Sequence, residues 1–386
     1  MRIVRVILIK SRTAARSGAA AAAPKGTTVP ARTPLALIAA AAALALLGCA
    51  GADGSAPAGD AGEQLRVVAT TTQLADFALR VGGDDISLTG LLAPGASAHH
   101  FDPSPADLLA LARADVLLVN GAGLEGFVES AVEASGFDGT VITASAGIDL
   151  ALAQEITAEA EAESGHEHDE GQAGDEHGDE HDDADEGEHA DEHDHDGLNP
   201  HIWTSVRFAQ GMVAELADGF AAADPAHAAA FRERAAEYTD QLESLDAWIG
   251  AQYARVPASE RLFVSGHDSL TYYLHDYDIE FIGSLVPSFE DNAEPSAAQL
   301  DALIAEIRAH GVKAVFVESS MNPKLARTVA EEAGIRAVDT DQLYADSLGA
   351  PGTPGATYLG ATIANTRTIL TGWGASIDPL PAELEG

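Results

Sequence analysis

The 386-residue chain predicts an α/β protein of two doubly wound lobes with mostly parallel sheets, joined by one long helix. Three observations predict this class. Short β-branched runs alternate with helix-length amphipathic segments, the pattern of parallel sheets covered by helices. The alternation occurs twice, once on each side of the middle of the chain. Between the two sets runs a segment of about 30 residues with one apolar face, about 45 Å long as a helix and enough to cross two lobes.

Taken in order, Arg66–Thr71 (RVVATT) reads as the first strand and Gln73–Val81 has helical spacing. Ile86–Leu92 is a second strand that enters a Pro/Gly loop carrying His99 and His100. Pro105–Arg113 is helical, Val116–Asn120 a buried strand, Leu124–Ala134 a helix and Thr140–Thr143 a short strand. Ser205–Ala222 is the next helix. Asp224-Pro225 has the form of an N-cap followed by Pro at the first helical position and opens the long helix to about Ala254. Phe231, Ala235, Tyr238, Leu242, Leu245 and Ile249 form its apolar stripe. The second set comprises Leu262–Ser265, helical Leu270–His275, Glu280–Ser284, helix Ser296–His310 ended by Gly311, Lys313–Glu318, helix Pro323–Ala333 ended by Gly334, Arg336–Asp339 and a final helix Tyr358–Leu370.

The N-terminus sets an address. A basic lead-in precedes the apolar run Leu35–Gly48, which is short for a spanning helix of roughly 18 or more apolar residues and has the flanks of a secretory signal peptide. Leu46-Leu47-Gly48-Cys49 matches a lipobox, in which the peptide is cut before Cys49 and Cys49 carries lipid. The alternative is an ordinary signal peptide with an incidental cysteine. Residues 1–48 are then the signal peptide, 49–64 a lipidated Gly/Ala/Ser/Pro-rich tether, 65–223 the N-terminal lobe, 224–255 the linking helix and 256–386 the C-terminal lobe. Cys49 is the sole cysteine, so no disulfide is available and stability rests on core burial.

The formal net charge of −40 excludes a nucleic-acid partner, which needs a basic footprint, and argues against charge-driven binding to an anionic membrane surface. Sixteen acidic residues and seven of the fourteen histidines lie between Gly165 and Gly197. The Gly165–Gly197 stretch has no core-forming residues, and the insertion, about 155–197, reads as a disordered, solvated loop. Its histidines, His166, His168, His177, His181, His189, His193 and His195, interleave with carboxylates, a mixture that suits borderline divalent cations such as zinc. An accessory metal loop and a plain solvating linker are the two readings. The acidic field would concentrate cations in either case.

Three further histidines lie in turn-rich loops near strand ends or helix starts: His99 in PGASAHHFDPSP, His201 in NPHIWTS and His267 in FVSGHDSL. In open α/β sheets ligands bind beyond the carboxyl ends of the strands, and three imidazoles meeting there suit zinc with a carboxylate as fourth ligand. Asp346, in DTDQLYADSLGAPG, is the first candidate; Glu290, Glu318 and Asp341 are carboxylates in similar loops. His227, His275 and His310 fall in helical patterns, and Trp203, Tyr238 and Trp248 read as packing residues.

From about Arg66 to the C-terminus, these motifs resemble the zinc-binding lipoproteins of bacterial ABC metal importers, the cluster A-I solute-binding proteins with a rigid interdomain helix. PGASAHHFDPSP is similar to the family's first-ligand motif, with His99 at the ligand position and Ala98 where Pro is common. NPHIWTS resembles the second motif, SGHDSLTYYLHDY the third, and ADSLG followed by TYLG the fourth. The resemblance implies a Zn(II) site of His99, His201, His267 and Asp346 in the cleft between the lobes. It also implies an extracytoplasmic monomer that delivers zinc to an ABC permease without catalysis. Family members that bind manganese tend to carry Glu at the third position, so His267 favours zinc. A zinc hydrolase, a manganese receptor and an extracellular zinc buffer or cell-adhesion protein of the same fold are the alternatives.

Overall fold

The computed structural model describes residues 64–164, 197–290, 293–338 and 343–385. The signal peptide, Cys49 and tether expected before residue 64, the seven histidines of the insertion and Asp341 lie outside them.

The N-terminal lobe is built on β1 (Leu65–Ala69), β2 (Ile86–Gly90), β3 (Val116–Val119) and β4 (Thr140–Thr143). The strands are all parallel and stand in the order β2-β1-β3-β4, with Val67 opposite both Leu88 and Val116. Every residue of β3 is buried, as a central parallel strand covered on both faces requires. The covering helices are α1 (Thr72–Gly82), α2 (Pro105–Leu111), α3 (Val128–Ser135) and α5 (Val206–Ala223), while α4 (Leu150–Ser164) crosses to pack on the C-terminal lobe, where Thr157 meets Tyr272. Because the chain leaves β1 for β2 on one side and returns to β3 on the other, the loops at the carboxyl ends of these strands diverge and leave a crevice.

The C-terminal lobe repeats the plan. β5 (Leu262–His267) pairs in parallel with β6 (Glu280–Val286), and β7 (Ala314–Val315) with β8 (Arg336–Ala337). The Phe316 N–H donates to Val264 O at 2.8 Å and brings β7 beside β5, so the two ladders lie next to each other. Around them lie α7 (Thr271–Asp276), α8 (Ala297–His310), α9 (Lys324–Ala333) and α10 (Tyr358–Trp373).

The linking helix is α6 (Ala228–Tyr253), 26 residues and about 39 Å long. Its expected stripe, Phe231, Ala235, Tyr238, Leu242, Leu245 and Ile249, is buried. One continuous apolar cluster runs from Leu65 and Phe77 through this stripe to Phe263, Phe316 and Ile369, so the inner faces of both lobes share a core. The outer faces have separate clusters, one around Val68 and Leu117 and one around Val264 and Ile307.

Several boundaries differ from the sequence reading. The insertion does not begin near 155: α4 continues to Ser164, its Ala/Glu composition being helix-forming and Ala153, Ile156 and Thr157 being buried. Asp224 does not cap α6. Its carboxylate accepts from the Ala226 N–H at 3.1 Å and meets His227 Nδ1 at 2.5 Å, so Pro225 lies in a turn and the helix starts at Ala228. The segment from Leu124 is a turn up to Phe127, because Gly121, Ala122 and Gly123 have positive φ and the Glu125 carboxylate accepts from the Asn120 and Gly121 N–H groups. After Val315 the chain stays buried to Glu318 but leaves the ladder.

Candidate metal centre

Each of the four residues is delivered by a loop or strand end facing the gap between the lobes. His99 lies in the loop after β2. Its side chain is 1% exposed, whereas that of the next residue, His100, is 42% exposed and faces Glu290 Oε2 at 3.5 Å. His201 sits in a short 3-10 turn just ahead of α5, whose N-cap is Ser205. His267 is the last residue of β5, one step earlier than the loop position expected. Asp346 lies between β8 and α10.

The structure brings one ligand atom of each within 4.8 Å of all the others. His99 Nε2 is 3.0 Å from His201 Nε2, and Asp346 Oδ1 is 3.3 Å from His201 Nε2 and 3.2 Å from His267 Nε2. His201, His267 and Asp346 are buried, yet Asp346 Oδ1 and both ring nitrogens of His267 have no hydrogen-bond partner. Buried polar atoms without partners are costly, and a cluster of them that share one point is what a cation would satisfy. Among the described residues no other group of three or more His, Cys, Asp or Glu side chains converges in this way. A cavity of about 810 Å³ lined by Arg336, Tyr344, Ile363, Arg367 and Leu380 touches none of the four; an ion needs donors rather than volume.

The surroundings fix the donors. The Asn199 amide donates to Asp268 O at 2.7 Å and to Thr271 Oγ1 at 2.9 Å, so its Oδ1 is turned to accept from His201 Nδ1–H at 2.7 Å. That tautomer leaves the His201 Nε2 lone pair facing the cluster. On the far side of His267, Nδ1 stands 3.4 Å from Glu318 Oε1, which accepts from the Ser269 hydroxyl at 2.8 Å. Ser320 Oγ donates to Asp346 Oδ2 at 2.7 Å. The Asp346 loop is tied to the other lobe: Ala345 O accepts from Gln73 Nε2 and Trp203 Nε1, both at 2.9 Å, and the Leu348 N–H donates to Thr72 Oγ1 at 2.8 Å. The Gly95 N–H, in the His99 loop, donates to Ser347 Oγ at 2.8 Å.

Burial pushes His201 down to about 3, against the pull of Asp346, so this imidazole is neutral at physiological pH. Burial also disfavours a charged His267, but Asp346 and Glu318 outweigh it and raise this imidazole well above its ordinary value. Burial would raise Asp346, yet His267 and His201 hold it well below the carboxylate range. The centre is thus an ionised carboxylate among three imidazoles.

Sequence reasoning named the four converging residues and missed their supports. Asn199 is two residues before His201 inside a quoted motif and was within reach of it; Ser320, Gln73 and Thr72 carry no sequence signal. Trp203 packs as expected, edge-on to His201 with ring centroids 5.3 Å apart, and also holds the Ala345 carbonyl.

Two α/β lobes around a buried cluster of three imidazoles and a carboxylate define a metal-binding receptor of the solute-binding kind. The comparisons make the class specific. The chain belongs to the family described as zinc-uptake complex component A, periplasmic, whose model matches residues 67–372. It is 31% identical to the manganese-binding lipoprotein MntA of Bacillus subtilis over 331 residues, 85% of this chain and 95% of that protein. It is 26% identical to the zinc-binding protein TroA of Treponema pallidum, covering 84% of this chain and 94% of that one. The solved structure of periplasmic TroA superposes with a TM-score of 0.65 at 23% identity, over 81% of this chain and all of that one, which shows the shared fold. The protein is therefore an extracytoplasmic metal-binding receptor of an ABC importer, working with a membrane permease, and not an enzyme. No helix of the described residues is long and apolar enough to cross a membrane.

Proposed function

We propose that the protein binds Zn(II) through His99, His201, His267 and Asp346 and hands it to the permease. The observation that carries this reading is the donor set itself: three imidazole nitrogens and one carboxylate oxygen within 4.8 Å. Four such donors match tetrahedral zinc, whereas manganese suits a larger set richer in oxygen. The MntA relative, named for manganese, supports manganese as the second reading. In the metal-free centre the proton on His267 and the incoming cation compete for the same nitrogen, so binding releases protons and weakens as pH falls.

Two accessory roles belong to the same proposal. Cys49 carries the lipid that holds the receptor at the membrane, and the histidines between 165 and 197 gather metal near the centre. Titration of the full chain with zinc and with manganese, beside His201→Ala, tests the main reading. One tight zinc equivalent, lost in the variant and with weak manganese binding, is expected. Manganese binding as tight as zinc supports the second reading, and tight zinc retained in His201→Ala overturns the site. For the insertion, unchanged affinity and unchanged zinc uptake after deletion of residues 165–197 overturns its role.

A further inference from the structure

We propose that Ser320 is the residue that selects the metal, by holding Asp346 to a single donor oxygen. The inference rests on the reading of the four residues as the ligand set. An ionised carboxylate only accepts hydrogen bonds, so the 2.7 Å contact has Ser320 Oγ–H donating to Asp346 Oδ2. The other oxygen, Oδ1, is buried, has no donor and stands 3.3 Å and 3.2 Å from the Nε2 atoms of His201 and His267. The two oxygens of one side chain thus have separate tasks, one bound to the protein and one presented to the centre.

The carboxylate has little freedom to turn its second oxygen inward. Its backbone is held just before, at Ala345 O by Gln73 and Trp203, and just after, at the Leu348 N–H by Thr72. Ser320 is itself held against the same loop by the Ser319 N–H, which donates to Leu343 O at 2.9 Å, and its own turn is closed by the Met321 N–H donating to Glu318 O at 3.1 Å. Chelation by both oxygens would therefore break the hydroxyl contact. With Ser320 in place the protein offers four donors, which satisfies zinc and leaves cations that need six ligands short. Ser320 acts through its hydrogen bond to Asp346 and is a positioning residue.

The test uses the full chain with Co(II) as a spectroscopic probe, and zinc and manganese titrations beside it. Intense visible absorption of four-coordinate cobalt is expected in the native chain. Ser320→Ala is expected to weaken that absorption as the coordination number rises, and to shift the zinc-to-manganese affinity ratio about tenfold toward manganese, the scale of one hydrogen bond to a charged group. Ser320→Thr, which keeps the hydroxyl, should restore both. An unchanged cobalt spectrum and affinity ratio in Ser320→Ala overturns the proposal. X-ray absorption of the zinc-loaded native chain is an independent check that needs no variant: two carboxylate oxygens on the metal would also overturn it. Asp346→Ala separates this failure from that of the underlying reading, since cobalt bound as tightly without Asp346 means the carboxylate is no ligand at all.

Discussion

At the scale of single residues, the centre depends on side chains that orient others. Asn199 reads the His201 tautomer through a 2.7 Å contact while anchored to Asp268 and Thr271. Asn199→Ala is expected to lower metal affinity about 10- to 100-fold with the fold retained, checked by competition titration and circular dichroism. A second residue-scale prediction lies far from the centre. His227 is raised above 6.5 chiefly by its hydrogen bond to Asp224, and Asp224 is lowered below 3.8 by the same contact. The histidine contribution to stability is full below the ordinary imidazole value and is lost as pH rises through the raised one. The carboxylate contribution is present above 3.8 and lost as pH falls through the lowered value. The pair therefore acts between those limits, and NMR titration should find the His227 midpoint elevated in the native chain and returned toward its ordinary value in Asp224→Asn.

At the scale of elements, period and caps located most of the fold. α8 starts where Ser296 and Gln299 form a reciprocal cap, and it ends at Gly311 in the left-handed conformation. Ser296→Ala is expected to cost about 1 kcal/mol in chemical denaturation, since it removes one exposed cap and no core contact. The elements that sequence misjudged share a cause: a local signal yielded to a tertiary one. Asp224-Pro225 has every mark of a helix start, but its carboxylate turned to His227 instead. The Ala/Glu segment of α4 looked like the edge of a solvated insertion, and only the burial of Ile156 and Thr157 against the C-terminal lobe distinguishes it. The candidate centre was legible because each histidine lies in a turn-rich stretch of sequence near a strand end or a helix start. Ser320 was not legible, because a serine in FVESSMNP gains its meaning only when the fold brings it to Asp346.

At the scale of the whole molecule, the two lobes are one cooperative body, since a single apolar cluster passes through α6 into both. A cation held between them stabilises everything at once. With free zinc at 100 times its dissociation constant, stabilisation of about 2.7 kcal/mol is expected, seen as a higher melting temperature that vanishes in His201→Ala. The increment should shrink as pH falls below the raised His267 value, because the metal must then displace the proton held on that imidazole.

The hydrogen bonds that link Thr72, Gln73 and Gly95 with the Asp346 loop join residues more than 250 positions apart. Contacts of such long range form late in folding, after the loop entropy of most of the chain has been overcome. A polypeptide exported N-terminus first has His99 and His201 outside the cell membrane while Asp346 is still to come. A chain truncated before Asp346 lacks one of the four converging donors, and a half-translocated one has yet to bring it to the other three.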